Sequence, residues 1–78
     1  MLPTTPPKAT IAEQLADRTR WLVQWPSTRK ACYATTFADS DDVLIETKQN
    51  RRPVAEGRAK RLMPTVRRLI DIARAEAQ

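Results

Sequence analysis

Trp21-Leu-Val-Gln-Trp25, the turn Pro26-Ser-Thr-Arg-Lys30 and the run Ala31-Cys-Tyr-Ala-Thr-Thr-Phe37 form the stretch on which the fold depends. Trp21, Val23 and Trp25 alternate onto one side of an extended strand. Pro26 stops that strand, the five residues Pro26–Lys30 have turn chemistry, and 31–37 is a second run rich in strand formers. The stretch therefore reads as a β-hairpin. Tyr33, Thr35 and Phe37 share one face of its second strand, and Cys32, Ala34 and Thr36 share the other.

On the N-terminal side, Thr10-Ile-Ala-Glu13 matches a capping box, which predicts a short helix from Thr10 to about Arg20 with Ile11 and Leu15 on its apolar strip. The three prolines within Met1–Pro7 predict an extended, flexible tail over residues 1–9. On the C-terminal side, 38–50 carries two competing signals. Val43, Ile45 and Thr47 alternate as a strand does, while Ser40-Asp-Asp42 resembles a helix cap. The β-branched enrichment of 43–47 favours a third strand. Asp39, Asp41 and Asp42 lack the spacing and the glycine of a calcium loop, so they are assigned to turn and cap roles.

Pro53 suits the first position of a helix, and Ala55, Ala59, Leu62, Val66, Leu69, Ile70 and Ala73 keep one apolar face in register across Pro64. That pattern predicts one long helix from Val54 to about Ala77, bent near Met63 because Pro64 has no N–H for the Lys60 carbonyl. The expected fold class is α+β in a single small domain over 10–78. It comprises a short N-terminal helix, a two- or three-stranded antiparallel sheet and a long C-terminal helix kinked near Pro64. The aromatics Trp21, Trp25, Tyr33 and Phe37 are expected mainly in the core, with Tyr33 the best candidate for exposure.

Charge is unevenly distributed along the chain. Residues 1–50 hold six bases and six acids, whereas 51–78 hold eight bases and three acids and so carry the whole net charge of +5. A concentrated positive field draws in polyanions or acidic protein surfaces. The candidate binding residues are Arg51, Arg52, Lys60, Arg61, Arg67, Arg68 and Arg74 on or just before the long helix, with Arg29 and Lys30 at the hairpin turn. Arginine predominates, and its planar fork suits bidentate contact with phosphate or carboxylate. The competing reading is a solvated face with Arg67 and Asp71 as an ordinary i,i+4 pair.

Several classes are excluded or disfavoured. The chain has no histidine, which removes the commonest general base near neutral pH and every Ser-His or Cys-His arrangement. With Gly57 its only glycine, it has no phosphate-cradling glycine loop, and left-handed turn positions are expected to fall on Asn, Asp or Ser. Cys32, the only cysteine, has no intrachain partner and is expected to be a small buried hydrophobe in a reducing, cytoplasmic setting. No apolar run approaches the ~20 residues that cross a bilayer. A hairpin ending in Thr36-Phe37 and followed by an acidic turn resembles the three-stranded DNA-binding modules at the N-termini of phage-type integrases. The likeness covers less than half of the chain, and no functional residue is carried over from it.

The expectation is a non-enzymatic, cytoplasmic regulatory protein of the kind found in phages or mobile elements, with no cofactor, no small-molecule substrate and no membrane partner. It would be a monomer or weak dimer that binds nucleic acid through its basic helix. The alternative is a regulator or inhibitor that docks the same helix on an acidic surface of a nucleic-acid machine such as RNA polymerase or a nuclease complex.

Overall fold

A computed structural model of the chain describes residues 5–77. It contains four strands, β1 (Lys8–Gln14), β2 (Arg18–Trp25), β3 (Lys30–Phe37) and β4 (Ser40–Thr47), followed by one helix, α1 (Glu56–Glu76). The strands form an antiparallel meander in the order β1-β2-β3-β4, and α1 lies across one face of it. The central hairpin pairs Trp21 with Ala34 and Val23 with Cys32, so the alternation read from the sequence sets the register. Trp21, Val23, Cys32 and Ala34 face the helix and are buried together with Ala9, Ile45, Val66, Leu69 and Ile70. The Trp21 indole Nε1–H, taken out of water, donates to Thr36 Oγ1 at 3.0 Å, which satisfies the one polar atom that its burial would otherwise strand.

The N-terminal helix expected over 10–20 does not form. In its place β1 pairs with β2, with Ala9 opposite Val23 and Ile11 opposite Trp21, so the sheet has four strands rather than two or three. The local capping signal loses because its apolar strip is too thin to pay for a helix. Ile11 and Leu15 stay 49% and 50% exposed, whereas the extended form gives the β1 backbone groups that face β2 ladder bonds and buries Ala9. Ala12 is the extra residue of a bulge between Ile11 and Glu13, a device that bends an edge strand away from further pairing. The strand begins inside the segment read as a tail, and Pro6 and Pro7 line a groove with Leu69, Ile72 and Ala73. Residues 1–4 lie outside the described residues.

Segment 40–47 is a strand, as its β-branched residues favoured. Ser40 caps no helix, but its Oγ accepts the Asp42 N–H at 3.0 Å where β4 begins. The long helix starts later than expected. Pro53 is not its first residue but bridges to Glu46, and the Val54 N–H donates to the Ile45 carbonyl at 3.0 Å. Residues 52–54 thus shield part of the β4 edge, where a proline costs no ladder bond that solvent would not replace. From Ala55 the chain turns into α1, which runs uninterrupted through Pro64 for 21 residues, about 32 Å.

Among the described residues the two left-handed positions outside glycine are Arg29 (φ 57°) and Arg51 (φ 53°), not the Asn, Asp or Ser expected. Arg29 closes the single 3-10 turn Pro26–Thr28, its N–H reaching the Pro26 carbonyl at 3.3 Å. A β-carbon in this region costs roughly 1–2 kcal/mol. Because glycine's larger unfolded-state entropy offsets part of this, Arg29→Gly is expected to raise thermal stability by about 2–4 °C in a chain of this size, read by a melting curve. An unchanged or lower midpoint would show that the arginine is not strained there.

Candidate nucleic-acid interface

The meander brings the β2–β3 turn, the β4–α1 connection and the first turns of α1 to the same end of the sheet. Nine bases gather there: Lys8, Arg29, Lys30, Lys48, Arg51, Arg52, Arg58, Lys60 and Arg61, against Glu46, Glu56 and Glu76, the last sharing a groove with Lys8. That end carries a net +6. The opposite end, with the two other hairpin turns, holds Arg18, Arg20, Arg67, Arg68 and Arg74 among six acids, a net of −1. The helix adds to this polarity, because the free N–H groups of its first turn point to the basic end.

At the basic end a groove of about 350 Å³ runs between the β2–β3 turn and α1, lined by Arg29, Lys30, Lys48 and Arg58 over Ala31, Cys32, Val54 and Leu62. A second hollow of about 300 Å³ adjoins it, sharing Lys30, Arg58 and Leu62 and adding Arg61, Trp25 and Thr28. No acid lines either. Five cationic side chains around an apolar floor form a place for anionic groups whose attached rings or sugars can rest on hydrocarbon. Burial pushes the Cys32 thiol above its ordinary value, with Arg58 pulling weakly the other way. The neutral thiol is the stable folded form, so stability falls only as pH climbs past the ordinary thiol range, where the unfolded chain ionises first. Alkylation of native protein at pH 8 should be at least tenfold slower than of urea-unfolded protein; equal rates would place the thiol at the surface.

The structure divides the expected residues. Arg29, Lys30 and Arg61 meet at the groove, and Arg52 and Lys60 lie at the same end. Arg51 reaches the far face of the sheet, its guanidinium 5.6 Å from the Tyr33 ring centre. Arg67 turns instead to the acidic end, donating to the Asp41 carbonyl at 2.7 Å, and Arg74 lies 5.7 Å from the Trp21 ring. Arg67 and Arg74 line a hollow shared with Asp41, Asp42 and Asp71, and exposed Arg68 lies in the same half of α1. Among the described residues the ion pairs are Arg18–Asp17 (3.1 Å) and Arg20–Glu13 (3.7 Å), so no helix base is neutralised by a β4 carboxylate, and the i,i+4 pair of Arg67 with Asp71 that the competing reading invoked is not formed. The Arg18 hydrogen bond holds Asp17 below the usual carboxylate range.

Sequence reading missed Lys8, Lys48 and Arg58. Arg58 lies in the first turn of α1, and its spacing of three from Arg61 was a usable signal; Lys8 and Lys48 join only through strand pairing. No helix among the described residues is long and apolar enough to cross a membrane. Comparison with protein-family models, with curated proteins and with solved structures finds no match.

Proposed function

We propose that this chain is a small non-enzymatic regulatory protein that binds nucleic acid with the basic end of its sheet and the first half of α1. The observation that carries this reading is the acid-free groove bounded by Arg29, Lys30, Lys48, Arg58 and Arg61 at an end of net +6. Two of the bases at that end, Arg29 and Arg51, occupy left-handed backbone positions where a smaller residue would be less strained. Backbone strain retained at a charged position supports a role for the side chain.

Nucleic-acid phosphates present anions at a regular spacing that several guanidinium groups can meet at once, and each neutralised phosphate releases counterions. Affinity measured by anisotropy with labelled DNA and RNA, single- and double-stranded, is expected to fall linearly on a log–log plot against salt. Absence of binding to every form at low salt would overturn the proposal and leave the acidic surface of a protein partner as the reading to pursue.

A further inference from the structure

The geometry points to the sheet face that α1 leaves uncovered as the surface that takes the bases of a single-stranded nucleic acid, its phosphates continuing onto the basic end. This deepens the nucleic-acid reading above and rests on it. The solvated face of an antiparallel sheet is ordinarily polar. Here strand register places Leu22, Tyr33, Phe37 and Leu44 on that face; Leu44 is 40% exposed, and Leu22, Tyr33 and Phe37 are half-buried. No other helix or strand of the described residues covers them.

The rings are flanked by arginines. Arg18 lies 5.7 Å from the Phe37 ring centre, and Arg20 and Arg51 lie 6.0 and 5.6 Å from that of Tyr33. Arg20 is poorly satisfied. Its Nε is buried without a hydrogen-bond partner, and its ion pair with Glu13 is long at 3.7 Å. An occupant that offers both flat π-faces and hydrogen-bond acceptors matches this set, and unstacked bases offer both, whereas a duplex keeps its π-faces internal.

Charge sets the orientation. On this face Lys8, Arg18 and Arg20 lie along β1 and β2 against the single acid Glu13, a net of +2, while Asp42 and Glu46 lie on β4. The backbone therefore runs on the β1–β2 side with bases over β3, and Arg51 joins the face to the basic end.

The test compares a labelled oligothymidine of about twelve nucleotides, the same length of abasic strand and the corresponding duplex, at one low salt concentration. The native protein is expected to bind oligothymidine about tenfold tighter than either of the others. Tyr33→Leu should remove that preference while leaving the helical circular dichroism intact, and Tyr33→Phe should keep it. Arg58→Glu should weaken all three ligands alike. Abasic strand or duplex bound as tightly as oligothymidine, or an unaltered preference in Tyr33→Leu, overturns the inference while leaving the nucleic-acid reading standing. Failure of all three ligands to bind overturns both.

Discussion

Reversing charge at Arg58 and Arg61 together is expected to lower nucleic-acid affinity at least tenfold at moderate salt and to flatten the slope of log K against log salt by about two units. Both side chains border the acid-free hollow beside Trp25 and Lys30, so neither loses a protein partner when changed, and the effect belongs to the ligand. The matched control is the same charge reversal at Arg67 and Arg68. Arg67 is already engaged with the Asp41 carbonyl at the end where acids outnumber bases, and this pair should change the slope by less than about one unit. Equal effects from the two pairs would restore a uniform basic helix as the binding element. A larger effect from the control would place the ligand at the other end of the molecule.

Trp21→Ala is expected to abolish most of the stability. Trp21 is 4% exposed, packs under α1 in the centre of the buried cluster and donates to the buried Thr36 hydroxyl. Truncating a buried aromatic costs about 3–5 kcal/mol, and a chain of this length has roughly 4–12 kcal/mol in total. The variant should therefore unfold at a far lower urea midpoint or lack a cooperative transition. Leu44→Ala, on the open face, should cost under about 1 kcal/mol. A Trp21→Ala loss below about 1 kcal/mol would mean that the helix is not seated on this residue.

The parts of the fold legible in the sequence are those in which local pattern and final burial agree. Trp21, Val23 and Trp25 alternate because one side of β2 is covered, and α1 keeps its apolar register because that stripe is what Val66, Leu69 and Ile70 bury. The misreading of 10–20 has the opposite cause. Thr10 and Glu13 offer a helix start worth about 1 kcal/mol, and the ladder with β2 outweighs it, but that ladder needs a strand whose placement depends on residues well downstream. The helix start moved for the same reason, since Val54 is held by Ile45 before α1 can begin.

Composition and order alone determined that the chain is basic in its last third, lacks histidine, and has a long amphipathic C-terminal helix and at least one hairpin. Only the tertiary structure decided where the charge goes. Antiparallel pairing carries Lys8, Arg29, Lys30 and Lys48 to the end where α1 begins, and the length of α1 carries Arg67, Arg68 and Arg74 away from it to the acids of the opposite turns. A tally along the chain orders charges by covalent distance, whereas a partner meets them by distance in space, and in a meander the two differ at every turn.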